Sequence, residues 1–367
     1  MTEDFDVSRI YDESPEDGMC QPSEDYVRSS GRKEKVTLLV ILLTAVIALA
    51  VMLLGDLRYP LDEIFGKLVT FDSTGDYGKI VWLIQMPMIV IAILVGAALS
   101  LSGTVMQCIL KNPLASPYTL GISGAASFGA AFAIVVLNSG SLSAPAGSII
   151  EEYSIVICAF LFAMLSVGLI LLLVKLTNVS AETMVLAGVA VSALFTAGLT
   201  LMQYFADSNQ LSAIVSWSFG NLNSSNWTWD CIVLLILALI GAYFMFNRWN
   251  LNAMDAGDEV AKGLGVNTER FRTVSLILTA FLSAVVVSKF GVIAFVGLIG
   301  PHIARMIVGS DHRFLIPMSM VIGACILLIA NCIAVNVMWP MVLPVGLLTS
   351  LLGAPMFIAL LIRRYGS

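Results

Sequence analysis

The chain has 367 residues, is 58% hydrophobic and 12% charged, and has a mean hydropathy of +0.92. A soluble domain carries about twice that charged fraction, so the soluble classes are excluded. The net charge of -6 says little about partners, because much of it sits in the first 31 residues.

Residues 1–31 carry Glu3, Asp4, Asp6, Asp12, Glu13, Glu16, Asp17, Glu24 and Asp25 with few large apolar side chains. Such a segment cannot bury enough surface to repay ordering, so a disordered acidic tail is predicted over 1–35, with one membrane domain over 36–367. The tail is too polar to begin a signal peptide, which makes the first apolar run a retained span. Arg32, Lys33 and Lys35 precede that run and place the amino terminus in the cytoplasm by the positive-inside rule.

An apolar run of about 20 residues, rising about 1.5 Å per residue, crosses about 30 Å of hydrocarbon. The pattern predicts ten such spans, near 36–55, 82–108, 119–137, 153–174, 184–206, 229–247, 272–290, 292–308, 316–335 and 344–363. The predicted fold class is an all-α polytopic membrane protein with about ten transmembrane helices and both termini cytoplasmic. Lys111, Lys175, Arg305, Arg313, Arg363 and Arg364 then fall inside, against Arg58, Lys67, Lys79 and Lys289 outside. The outer segment 207–228, with Trp217 and Trp227, reads as a short helix along the membrane surface or as an ordinary loop.

One long mixed-charge insertion, residues 248–272, interrupts the apolar pattern with Asp255, Asp258, Glu259, Lys262, Glu269, Arg270 and Arg272. Each such charge costs a few kcal/mol at the centre of a bilayer, so the insertion lies in water. Residues 258–266 read as a short helix with Ala261 and Leu264 on one side, stopped near Gly263 and Gly265, or as a plain solvated loop.

No phosphate-binding loop occurs, so any ATP and Mg belong to another subunit and this chain binds no cofactor. No nucleophile–base constellation stands out, so the chain is read as a non-enzyme, and no nucleic acid partner is expected. The six cysteines show no C-x-x-C pair and read as small core residues. With only His302 and His312 available, no metal centre is expected. His302, Arg305, Asp311, His312 and Arg313 read as cap and dipole partners at inner helix ends. Met106, Met184 and Met202 read as gap fillers.

Small residues recur in Gly96-Ala-Ala-Leu-Ser-Leu-Ser-Gly103, a spacing that lets a second helix backbone approach. Gln107, Asn112-Pro113 and Ser116-Pro117 then end the span and start the next, in a stretch that runs on through Gly121. That ordered stretch resembles the FecCD family, permease subunits of ABC importers for iron-siderophore, haem and cobalamin complexes. The resemblance continues at Leu186-Ala-Gly-Val189, Trp217-Ser-Phe-Gly220 and Gly291-Val-Ile-Ala-Phe-Val-Gly-Leu-Ile-Gly-Pro301-His302-Ile-Ala-Arg305. It runs on through Gly309-Ser-Asp-His-Arg313, Leu343-Pro344-Val-Gly346 and Gly353-Ala-Pro-Met-Phe357.

The resemblance implies a type II ABC importer permease fold in a bacterial cytoplasmic membrane. It implies ATPase subunits, an extracytoplasmic substrate-binding protein and a second permease, identical or different, as partners. It implies that Asp258, Glu259, Ala261, Gly263, Leu264 and Gly265 form the element that seats in the ATPase. An iron-siderophore or haem cargo is the expected reading; the alternatives are cobalamin import, a stand-alone secondary transporter, or a non-transporting scaffold. Gln203, Thr349 and Ser350, with Met202, are candidates for the pathway wall.

The outer side departs from the family pattern. Gln85-Met86-Pro87-Met88 stands where Arg-x-Pro-Arg is expected, Val335 ends a stretch that usually ends in Arg, and Val342 replaces a Glu. Gln85, Met88 and Val335 are therefore predicted to mark an altered docking face for the binding protein. Either a different second permease supplies the arginines or docking is apolar, and lost charge pairs would chiefly slow steered association.

Overall fold

The computed structural model describes residues 24–54, 61–139, 149–177, 180–338 and 341–365, and among these every regular element is helical. In chain order they are α1 (Glu24–Leu54), α2 (Leu61–Val69), α3 (Gly75–Lys79), α4 (Met86–Ile109), α5 (Ile122–Val135), α6 (Ile149–Leu176), α7 (Ala181–Phe205) and α8 (Ser208–Ser218). Then come α9 (Trp227–Phe246), α10 (Arg248–Asp255), α11 (Asp258–Gly263), α12 (Thr268–Phe290), α13 (Val296–Val308), α14 (His312–Asn336) and α15 (Val345–Tyr365).

Seven helices among the described residues are long and apolar enough to cross a membrane, and three shorter apolar helices, α5, α13 and the apolar part of α15, complete the set. Each predicted run coincides with one of these. The second starts earlier than expected, at Gly75, because α3 continues through a π-helical turn, Ile80–Gln85, straight into α4. The segment predicted as a tail overlaps the start of α1. Residues 1–23 lie outside the described residues, but Glu24 to Lys35 already belong to α1. Glu34 pairs with Arg313 at 2.9 Å and Lys33 lies over the Phe314 ring, so this end of α1 is held against α14.

α4 is the axis of the molecule, packed by α9, α12, α13 and α14. A helix that is apolar and small-residued all round belongs inside, and every residue from Leu94 to Ile109 is buried. Its glycines set the closeness of packing. A Cβ at Gly96 would overlap the Gly323 carbonyl on α14, and one at Gly103 would overlap the Gly297 carbonyl on α13. A second group, α5 with α6 and α7, joins through α12, which touches both α4 and α6.

At the end of the bundle away from the charged insertion, three distant glycines meet. Gly220 (φ +69°) follows α8, Gly291 (φ +72°) ends α12, and Gly346 lies in the first turn of α15. A side chain on Gly220 or Gly346 would strike the Val292 carbonyl, and one on Gly291 the Trp217 carbonyl. Asn221 N donates to Phe290 O at 2.8 Å across the same junction. Three of the sequence stretches that carry the resemblance thus converge on one backbone-to-backbone contact.

Candidate functional site

The charged insertion folds as two short helices on the end of the bundle. α10 buries Leu251, Ala253 and Met254 against the body. Gly257, at φ +123°, turns the chain into α11, Gly265, at φ +84°, turns it out again, and Asn267 caps α12 by accepting from Arg270 N at 3.0 Å. Both turns need a backbone conformation that side chains disfavour, so glycine here is a geometric requirement.

Asp258 is the hub. Its carboxylate accepts from Arg272 Nη2 at 3.0 and 2.9 Å and pairs with Lys111 Nζ at 2.8 Å. Arg272 is 1% exposed, and its Nε donates to the Ile109 carbonyl at 2.8 Å, which satisfies an orphan carbonyl at the end of α4. Burial pushes the Asp258 carboxyl upward, but its bonds to Lys111 and Arg272 outweigh that and hold it below the ordinary value of 3.8. One side chain therefore binds α11 to the end of α4 and the start of α12.

The end of α4 is built to deliver Lys111 there. Asn112 N donates to Gln107 O at 3.2 Å and Lys111 N to Cys108 O at 3.1 Å, a Schellman pair with Lys111 at φ +48° where glycine is usual. Asn112 Oδ1 accepts from Leu114 N at 3.0 Å, and Pro113 bars continuation of the helix. A non-glycine residue at that backbone angle is strained, and here it carries one of the two cations on Asp258.

α10 is tied down separately. Asn252 Nδ2 donates to Asp311 Oδ1 at 2.9 Å while Asn252 Oδ1 accepts from His312 N at 2.8 Å, so one amide clasps the start of α14. Asp311 also caps α14 by accepting from Arg313 N at 2.9 Å. Beside it, Gln107 Oε1 accepts from Arg305 at 3.3 Å, and its Nε2 reaches Leu298 O at 3.5 Å, joining α4 to α13. His302 lies half-buried one turn away on α13, and Pro301 is buried in that helix.

The outward side of α11 is a different surface. Glu259, Val260, Lys262, Gly263, Leu264 and Gly265 are exposed, Leu264 by 69%. Ala261 is fully buried. The expectation that Ala261 and Leu264 share one side is corrected: Ala261 packs inward with Asp258, while Leu264 points to water. An element only six residues long is too short for periodicity to assign its faces.

At the opposite end, Ile134, Ile155, Ser216, Trp217, Asn221 and Lys289 are among the residues lining a cavity of about 360 Å³. The segment 207–228 does contain a helix, α8. An Asp207–Gln210 capping box starts it, and Gln210 Nε2 donates to Ile134 O on α5 at 3.4 Å and to Asn138 Oδ1 just beyond that helix at 3.1 Å. Trp217 lines the cavity and Trp227 donates to Trp82 O at 2.9 Å.

Gln85 is 6% exposed, with its Oε1 lacking a partner among the described residues, so it is not a surface docking residue. The π turn inserts an extra residue before α4 and rotates this position inward. Met88 and Val335 are half-buried.

Of the pathway candidates, Met202 and Gln203 on α7 are half-buried. Thr349 and Ser350 on α15 both donate to Gly346 O, at 3.1 and 2.8 Å. The chain does not bring these two pairs together: α7 packs on α5 and α6, α15 on α13 and α14. Pro344 immediately precedes α15, where a missing N–H costs nothing. Gly121 (φ +81°) is the residue before α5.

A family model described as the FecCD transport family matches residues 39–363. A protein of Methanocaldococcus jannaschii, named as an ABC transporter permease without a stated cargo, is 46% identical over 90% of this chain and 94% of its own length. The hemin transport system permease HmuU of Yersinia pestis is 34% identical over 87% of this chain and 94% of its own length. A solved structure described as an inward-facing conformation of a metal-chelate type ABC transporter superposes with a TM-score of 0.76. It is 28% identical and covers 90% of this chain and 99% of that one.

Proposed function

Because the chain belongs to the FecCD transport family, and is thus a multi-pass permease of the ABC importer type, we propose that it carries an iron complex, a siderophore or haem, across the cytoplasmic membrane. Separate ATPase subunits drive it, an extracytoplasmic binding protein feeds it, and a second permease completes the pathway. Alternating access supplies the motion: ATP-driven closure of the ATPases moves α11, and the spans rock around the pathway. The insertion and both termini then face the cytoplasm, and the ATP and Mg stay with the ATPase.

One observation carries this reading. α11 presents an exposed rim of Glu259, Lys262, Leu264 and Gly265, while its other side is bonded to α4 and α12 through Asp258. A force applied to the rim is therefore delivered to the central helix of the bundle. That is what an ATPase-coupling element must do, and a solvated loop has no need of a salt-bridged root.

The test is cross-linking at Leu264→Cys in native membranes, with capture of the tagged chain and mass spectrometry of its partners. An ATPase carrying a phosphate loop, linked through this position, is expected. Leu264→Asp should leave the chain folded and abolish substrate-stimulated ATP hydrolysis by the reconstituted complex. Absence of any ATPase among the captured chains would overturn the coupling role. Uptake by proteoliposomes of ferric siderophore, hemin and cobalamin, each with the cognate binding protein, separates the cargoes; transport of cobalamin alone would replace the iron reading.

A further inference from the structure

Cys108 at the end of α4, Asp255 at the end of α10 and His312 at the start of α14 come together although they lie far apart in the sequence. A sulfur, a carboxylate oxygen and a ring nitrogen from the three lie within 4.8 Å of one another. His312 Nδ1 is 3.6 Å from Asp255 Oδ2. We propose that these three residues form a binding site for a single divalent transition metal ion, on the insertion side of the bundle.

The donor set specifies the class of ion. A thiolate and an imidazole favour zinc, cobalt or iron and disfavour magnesium or calcium, which prefer oxygen ligands. Thiolate plus carboxylate neutralise a divalent ion, and three protein ligands leave a fourth position open to water. Ligands around such an ion stand about 2.0–2.3 Å from it, so the donor atoms need only a modest contraction to close on it. Cys108 and His312 are buried while Asp255 is exposed, which gives a dry pocket with one wet edge for entry.

A second observation is independent of the cluster. His312 is 0% exposed, and its Nε2 has no hydrogen-bond partner among the described residues. Its Nδ1 lies 3.0 Å from Asn252 Oδ1, which also accepts from His312 N, so the Nδ1 proton points at that amide oxygen. With the proton held there, Nε2 keeps a free lone pair for the ion, and the Nδ1 bond to Asn252 orients the ring as second-shell bonds orient ligating histidines. At the other ligand the Cys108 thiol, resting on Leu251 O at 3.4 Å, loses its proton to solvent as sulfur binds the ion. No electron moves.

An occupied site would fasten α10 to both α4 and α14, adding to what Asn252 already does. The inference does not depend on the importer reading, since metal binding is measured on the chain itself.

The experiment is titration of the purified full-length chain in nanodiscs with Co²⁺, read by thiolate-to-cobalt charge-transfer absorption and by the thermal unfolding midpoint. One equivalent should bind with a thiolate band and raise the midpoint. Cys108→Ala should abolish the band and weaken binding by at least about tenfold, and Asp255→Asn should weaken it by a similar factor. The exposed Cys231 is the control, and Cys231→Ala should change nothing. A wild-type chain without a thiolate band, or a band that follows Cys231, would overturn the site. If Cys108→Ala does not fold, sulfur coordination counted by X-ray absorption on the Co²⁺-loaded wild type decides: one sulfur supports the site and none refutes it.

Discussion

The two ends of this bundle are held together by different physics. At the insertion end, long polar side chains reach across gaps: Asp258 to Lys111 and Arg272, Asn252 to Asp311 and His312, Gln107 to Arg305. At the other end, backbone touches backbone through Gly220, Gly291 and Gly346. Side-chain pairs can lengthen, rotate and re-form, whereas a glycine contact is either closed or broken. On the proposed coupling role, the first kind suits an end that receives a push, and the second suits one that acts as a fixed seam.

The largest effect should come from breaking the seam. Gly346→Ala places a methyl on the carbonyls of both Val292 and Phe219, neither of which can yield as a flexible side chain would. A loss above about 4 kcal/mol is expected, read as failure to recover a monodisperse chain in mild detergent. Gly220→Ala, which adds a positive-φ penalty to a clash with Val292, should behave alike.

Next comes the hub. Asp258→Asn leaves Arg272 buried without its counter-ion, and about 3–5 kcal/mol should be lost in denaturant titration. Adding Arg272→Met should recover part of that, because the uncompensated charge is removed with its partner. Coupling of ATP hydrolysis to transport should stay lost in the double variant, which separates stability from force transmission.

A smaller effect is expected at Asn252→Ala, which gives up the clasp on α14. About 1–3 kcal/mol is predicted from unfolding midpoints, the range for stranding buried hydrogen-bonding groups. Smallest is the change on acidification. The Asp258 carboxyl sits below its unfolded value, so its contribution is complete above 3.8 and fades as pH falls through the depressed folded value. Stability measured from neutral pH down to about 5 should therefore owe no change to this residue, and Asp258→Asn should flatten the loss seen only in stronger acid.

Much of this was legible in the sequence. Apolar runs mark the seven long spans, whose length hydrocarbon thickness imposes, and the three shorter apolar helices beside them, and proline marks the break at Asn112-Pro113. The charge density of 248–272 marked the insertion. Which side of α11 faces inward was not legible, since six residues give less than two turns. Nor was the burial of Gln85, because a π turn shifts the helical phase without any signal in residue type. Lys111 and Arg272 read locally as inner charges, and Asn252 carries no local signal. Their roles depend on where Asp258, Asp311 and His312 arrive in space, which no local pattern encodes. Cys108 is the buried core residue its apolar surroundings predict, and the arrival of Asp255 and His312 beside it depends in the same way on the fold.

The short helices carry a further consequence. α13 has 13 residues and α5 has 14, so each rises only about 20 Å where a bilayer core is about 30 Å thick. The remaining depth beside α13 is filled by the irregular residues 291–295, and such backbone survives at that depth only when protein encloses it. Helices of full spanning length stand elsewhere, where α1 and α6 run far longer. Enclosed mostly by protein, the two short helices escape the hydrophobic-mismatch cost that spans of their length would meet in direct contact with lipid.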